Sequence, residues 1–372
     1  MKKNLFRFGT CLYMAAIALS ACTNTTKSTV NADSAAVDSI QSAALQPAGP
    51  APEWGKTIKP EMQVVIEKLA GYGDQPIETL TPEEARKNHT PADAVADLVK
   101  SNKIAIPEPK VDTVGKNIPV PDGKVHIRIY TPKAGKGPFP VIVYYHGGGF
   151  VIADLDVYNA SAQGLAEQVN AVVVSVAYRL APEHKFPTAH NDAFAAYEWV
   201  VKNTVSIKGD PAKIAVVGES AGGNLAANVS LMAVAKHIMV PVHEVLVYPI
   251  AQSNMDTESY KAYAQAKPLN KAMMGWFTKN YLTAPIEAQD PKISLVNANL
   301  KGLPPTTIIT AEIDPLHTDG TLLANKLSAA GVKVNSRNYE GVTHESFGMA
   351  ILVPEAKAAQ AYAAEQLRLA FK

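Results

Sequence analysis

The chain has 372 residues, 47% of them hydrophobic and 19% charged, with a formal net charge of +1. That is enough apolar material for one large globular domain with appendages. A near-neutral balance without a basic run, or basic and aromatic residues interleaved, argues against nucleic acid as a partner. The only two cysteines, Cys11 and Cys22, lie near the N-terminus. The remainder therefore carries no disulfide, no cysteine nucleophile and no thiolate zinc site.

Lys2, Lys3 and Arg7 form a basic start, Cys11 to Ala18 a short apolar core, and Leu19-Ser20-Ala21-Cys22 a small-residue close. The apolar stretch is too short to span a bilayer, so residues 1–21 read as a cleaved export signal. Its close resembles the lipobox of bacterial lipoproteins. That resemblance implies that Cys22 becomes the mature N-terminus and carries lipid, several acyl chains giving stable anchoring. The alternative is an ordinary secretory signal with an incidental cysteine. Thr23 to about Pro52 is rich in Thr, Ser, Ala, Asn and Pro, so residues 22–55 read as lipidated cysteine and flexible tether. The expected location is the bacterial cell envelope, lipid-anchored and facing the periplasm or the cell surface; the leaflet is not legible.

Helical periodicity over Glu61 to Leu69 and Pro82 to Leu98 predicts N-terminal helices within residues 56–115. Strands follow at Val125 to Tyr130, Val141 to Tyr145, Ala171 to Tyr178, Glu244 to Tyr248, Thr306 to Ala311 and Lys333 to Tyr339. A further one enters the glycine-rich turn after Ile214. Helices are predicted at Ala160 to Gln168, Asn191 to Lys202, Gly222 to Ala235, Thr321 to Ala330 and Glu355 to Leu369. Strands that are apolar throughout, alternating with helices, imply an open, mostly parallel, doubly wound sheet over residues 116–372. Ala251 to Thr283 interrupts the alternation with a helical insertion containing Met273, Met274, Trp276 and Phe277.

Ile214 to Asn224 reads Ile-Ala-Val-Val-Gly-Glu-Ser-Ala-Gly-Gly-Asn: strand, sharp turn, helix, with Ser220 at the apex. Such a turn strains its central residue and needs near-absence of side chain at Gly218 and Gly222; it lifts a nucleophilic hydroxyl above the sheet. Val141 to Phe150 runs a strand into His146-Gly147-Gly148-Gly149, matching the oxyanion loop of lipases and esterases. The expected oxyanion donors are the amides of Gly147, Gly148 and Ala221. His344, after the last strand, is the expected base, with His317 its main rival. Asp314, after the penultimate strand, is the expected acid; Asp319 and Glu312 are alternatives, Asp319 reading better as a helix cap. The order Ser220, Asp314, His344 is that of the α/β-hydrolases.

These motifs, with Tyr178-Arg-Leu-Ala-Pro-Glu-His-Lys-Phe-Pro187, Leu303-Pro-Pro and Gly-Val-Thr-His344, make the chain resemble the bacterial hormone-sensitive-lipase-like esterases from about Glu61 to the C-terminus. The resemblance implies an α/β-hydrolase fold whose helical cap combines the N-terminal helices with the insertion at about 251–283. It also implies an acyl pocket drawing on Phe150, Met273, Met274, Trp276 and Phe277. Two departures stand out: Glu219 where Asp is common before the nucleophile, and Glu-Ser-Phe-Gly after His344 in place of Gly-Phe. The implied activity is hydrolysis of short- to medium-chain acyl esters through an acyl-enzyme, without metal or organic cofactor. A peptidase, an amidase or a glycan deacetylase uses the same parts, and a non-catalytic binding lipoprotein is the alternative of another class. Acyl-chain length, physiological substrate and oligomeric state are not legible.

Overall fold

The computed structural model describes residues 45–372; the expected signal, Cys22 and most of the tether lie outside the described residues. Eight strands make one sheet: β1 (Val111–Val120), β2 (Gly123–Pro132), β3 (Phe139–Tyr145), β4 (Val172–Ala177), β5 (Gly209–Glu219), β6 (Glu244–Val247), β7 (Thr306–Ile313) and β8 (Val334–Thr343). Their spatial order is β1-β2-β4-β3-β5-β6-β7-β8. β2 pairs antiparallel with both β1 and β4, and every other pairing is parallel.

The parallel strands are buried on both faces, which is why their sequences run apolar without a break. Period-two alternation sorts their side chains into two cores. Val141, Val143 and Tyr145 of β3 join the layer containing Ala193, Val200 and Leu225, from helices Thr188–Asn203 and Ala221–Ala235. Ile142 and Tyr144 face the layer containing Leu165 and Ala363, from helices Asn159–Val169 and Pro354–Ala370. Each fully buried aliphatic side chain contributes about 1.5–3 kcal/mol, so this sandwich is a stiff platform for the loops at the carboxyl ends of β3, β5, β7 and β8.

Two local readings change in three dimensions. The stretch predicted as one helix, Pro82 to Leu98, is two: Pro82–Ala85 and Pro91–Ser101, each opened by a threonine capping box, Thr81 with Glu84 and Thr90 with Asp93. Pro91 disfavours helical backbone at Thr90, so the chain breaks there and restarts. The sheet also begins one strand early, because β1 is a polar edge strand exposed over most of its length. It is held by its backbone ladder to β2 and shows no apolar alternation to detect. The insertion supplies helices Glu258–Ala262 and Lys271–Tyr281, the second capped by Asn270, whose side chain accepts the Met273 N–H at 2.8 Å.

At the start of β6, Glu244 has no solvent exposure. One carboxylate oxygen accepts from the Thr306 hydroxyl at 2.8 Å and the other has no partner. Burial pushes this carboxyl up to about 7 from its usual 4.5. As pH rises through that window the unfolded chain releases its proton first, so stability falls. Glu244→Gln is expected to abolish this decline, gaining roughly 3 kcal/mol over wild type at alkaline pH and little at acid pH. Urea unfolding at both ends checks it; a gain independent of pH would contradict the account.

Candidate active site

Ser220 sits between β5 and the helix Ala221–Ala235 at φ 56° and ψ −117°, a conformation that side chains avoid. The surrounding backbone imposes it. A Cβ on Gly218 would stand 2.0 Å from the Gly222 carbonyl oxygen, and one on Gly222 would stand 2.0 Å from that of Tyr145. The Ser220 N–H donates to the Val247 carbonyl at 2.9 Å, tying the turn to β6.

Two further loops bring their side chains to this hydroxyl. His344 follows β8 and places Nε2 2.9 Å from Ser220 Oγ, while its Nδ1 lies 2.7 Å from Asp314 Oδ2. The Nδ1 proton is donated to the carboxylate, leaving Nε2 as acceptor for the serine hydroxyl. Asp314 has no exposure, and its other oxygen accepts the Leu316 N–H at 2.8 Å. Burial alone would depress the His344 imidazole; the Asp314 carboxylate overrides it and raises the pKa above 6.5. This is a buried, ordered serine–imidazole–carboxylate relay.

The His344 ring bonds to the Ser220 hydroxyl and to Asp314, not to the rival residues. His317 opens the helix His317–Ala329, its N–H donating to the Asp314 carbonyl. Glu312 accepts from the Gly341 N–H at 2.7 Å and the Thr57 hydroxyl at 2.8 Å. Asp319 does not cap a helix. Fully buried and raised by that burial to about 7, it accepts from the Ala251 and Gln252 amides and so shapes the loop after β6.

The three glycines after β3 divide differently from the expected assignment. Gly148 and Gly149 line the small cavity over Ser220, and Gly147 does not. Gly147 lies beneath, where a Cβ would meet the Tyr158 hydroxyl at 2.2 Å, and its carbonyl accepts from the Tyr178 hydroxyl at 3.1 Å. Gly148, Gly149 and Phe150 take φ of 96°, 58° and 64° in succession, which turns the loop over the nucleophile. Ala221, first residue of its helix, has one of the amides that a helix leaves without an internal acceptor. His146 braces the loop from below: it stacks on Tyr178 at 4.3 Å, and its Nδ1 lies 2.8 Å from the Gly147 carbonyl oxygen. Burial takes this imidazole down to about 4, so it stays neutral.

Of the five residues expected to line the pocket, Met273, Met274 and Phe277 do. Phe150 and Trp276 do not. Phe150 turns away and stacks on Tyr281 at 4.2 Å, while Trp276 points its indole N–H at the Leu80 carbonyl, 2.9 Å away. Phe150 thereby fastens the insertion to the body, and Trp276 fastens it to the N-terminal segment.

Several contributors act through partners distant in the sequence. Glu219, before the nucleophile, is buried; the Tyr144 hydroxyl donates to one oxygen at 2.5 Å and the Tyr248 hydroxyl to the other. Burial raises its carboxyl. Arg179 forms a charge pair with buried Asp192 at 2.7 Å. Arg86, from the N-terminal segment, grips Glu183 through both terminal nitrogens at 2.7 and 2.8 Å. It also donates to the Val151 carbonyl at 2.9 Å and the Ala181 carbonyl at 2.6 Å. That guanidinium holds the Glu183 carboxyl down at about 2.

The profile of a protein family described as alpha/beta hydrolase fold matches residues 142–348. Carboxylesterase NlhH of Mycobacterium tuberculosis is 37% identical over 238 residues, 62% of this chain and 74% of that protein. The carboxylic ester hydrolase LipN of the same organism is 34% identical over 301 residues, 78% of this chain and 77% of its own. Among solved structures, a thermostable esterase from Pseudomonas putida superposes with a TM-score of 0.77 at 32% identity, covering 85% of this chain and 98% of that one. An esterase from Pyrobaculum calidifontis gives 0.73 at 35% identity, covering 79% and 95%.

The Arg86 clasp has a measurable worth. Glu183 is more than half exposed, so their ion pair is a minor part; the two carbonyls that would lose a charged donor dominate. Arg86→Ala is expected to cost about 2 kcal/mol in urea unfolding and Arg86→Lys, which keeps one donor group, about half of that. Wild-type stability in the alanine variant would show that the clasp is idle.

Proposed function

The chain belongs to the α/β-hydrolase fold family, and on that premise we propose that it is a serine carboxylesterase acting on short- to medium-chain acyl esters. The observation that carries the reading is the 2.9 Å approach of Ser220 Oγ to His344 Nε2, with Asp314 behind the imidazole at 2.7 Å. In this mechanism His344 takes the hydroxyl proton as Ser220 Oγ bonds to the ester carbonyl carbon. Asp314 keeps the imidazole in the required tautomer and stabilises its cation. The tetrahedral oxyanion is received by the amides of Gly148, Gly149 and Ala221. Collapse breaks the bond to the alcohol, which departs with the proton from His344. Water then repeats the sequence on the acyl-serine, releasing the acid and restoring Ser220.

Ser220→Ala is expected to lower kcat on a p-nitrophenyl ester by at least about a thousandfold and to end covalent labelling by a fluorophosphonate. Turnover undiminished in that variant, or a wild-type serine that never labels, refutes the assignment.

We further infer that the enzyme is exported and held in the bacterial cell envelope by lipid on Cys22. The basic start, the short apolar core and the small-residue close before Cys22 support this reading. Cys22→Ser is expected to abolish incorporation of an alkyne-tagged fatty acid and to release the activity from the membrane pellet. Equal labelling and sedimentation of the variant and wild type would overturn it.

A further inference from the structure

Two cavities of very different size meet beside His344. The smaller, about 30 Å³, lies on Ser220 and is closed by Ile250, Leu269, Met274 and Phe277. The larger, about 610 Å³, is walled by Ile66, Ile77 and Leu180, among other apolar residues, and by the charged side chains of Asp74, Glu78, Arg86 and Asp154. Ile152, Pro268, Met273 and Glu345 belong to both walls and so form the neck between them. The first has room for about two waters, which suits an acetyl or propionyl group. The second falls within the range of whole ligand sites, roughly 300–1,000 Å³.

Proton transfer decides which half of an ester lies where. The alcohol oxygen must depart within hydrogen-bond reach of His344 Nε2. Of the two cavities the larger has room for a bulky alcohol, and Glu345, next to His344, stands in the neck that leads to it. The acyl group, on another bond of the tetrahedral carbon, is left with the closed cleft.

Glu345 is unusual there. It takes φ 64°, a left-handed backbone conformation uncommon outside glycine, and the Tyr158 hydroxyl donates to its Oε1 at 3.1 Å. A long acidic side chain is thus held, against its backbone preference, at the passage that the departing alcohol uses. When Glu345, whose carboxyl burial raises, is ionised, an anionic alcohol meets like charge in a partly desolvated neck, a neutral one does not, and a cationic one is attracted.

Resting on the ester-hydrolase reading, we propose that the substrates are esters of small acids with bulky neutral or cationic alcohols, and that Glu345 is the residue that rejects anionic ones. The test uses three acetate esters on one phenol frame, assayed at mildly alkaline pH: anionic 4-acetoxybenzoate, its neutral methyl ester, and the (4-acetoxyphenyl)trimethylammonium cation. A hexanoate ester of the neutral phenol probes the acyl side. Wild type is expected to favour the neutral and cationic acetates over the anion by about tenfold or more in kcat/KM, near 1.4 kcal/mol. Glu345→Gln should bring the anion-to-neutral ratio close to one, while Glu345→Asp keeps the discrimination. The hexanoate should fall at least about tenfold below the acetate in wild type. An anion-to-neutral ratio in Glu345→Gln equal to that of wild type removes the role of Glu345, and a hexanoate as good as the acetate reverses the cavity assignment. No hydrolysis of the neutral acetate, together with no fluorophosphonate labelling, would instead sink the ester-hydrolase reading itself.

Discussion

The site depends on one steric constraint: the chain crosses itself at Ser220 with no room for a side chain on either flank. Gly218 and Gly222 each have foreign backbone oxygen 2.0 Å from where a Cβ would go. Backbone packed that closely cannot relax locally, so the unfavourable dihedrals of Ser220 are held by β3, β5 and the following helix together. The hydroxyl is presented by the fold rather than by its own side-chain preferences. That is the preorganisation on which an activated nucleophile depends.

Around this point the protein handles buried charge in two ways. Asp314 faces an imidazole that can become cationic, so its charge has a partner at the moment of reaction. Glu219 has only hydroxyls, from Tyr144 and Tyr248, and its carboxyl is raised by burial. Tyr248 also lies against the His344 ring, 4.5 Å between centroids. Glu219 thus joins β3, the loop after β6 and, through Tyr248, the His344 imidazole in one polar knot. A buried polar group of this kind specifies geometry more than it adds stability.

Legibility in the sequence followed how local the determinant was. The Ser220 turn, the glycine loop and the loop bearing His344 are short motifs whose geometry is encoded within a few residues, so their places could be read directly. The parallel strands could be read too, because double-sided burial writes itself as unbroken apolar runs. What depends on distant neighbours was not legible. Whether Gly147 or Gly149 faces the nucleophile turns on three successive positive φ values and on Tyr158 beneath. Phe150 and Trp276 are pocket residues in what the resemblance implies, yet Tyr281 and the Leu80 carbonyl claim them. The edge strand β1 escaped because water faces most of it.

The grip of Arg86 bears on how the large chamber can breathe. It ties the N-terminal wall to the carbonyl of Val151, on the loop that continues from the three glycines, and to that of Ala181, on the loop after β4. Opening that wall would therefore drag the glycine loop out of register with the serine. The Lys267–Pro268 stretch, which also lines the chamber and leads to the helix that carries Met273, is not among the groups that the Arg86 guanidinium holds. Motion of one wall of the chamber is thus not tied through Arg86 to motion of the other.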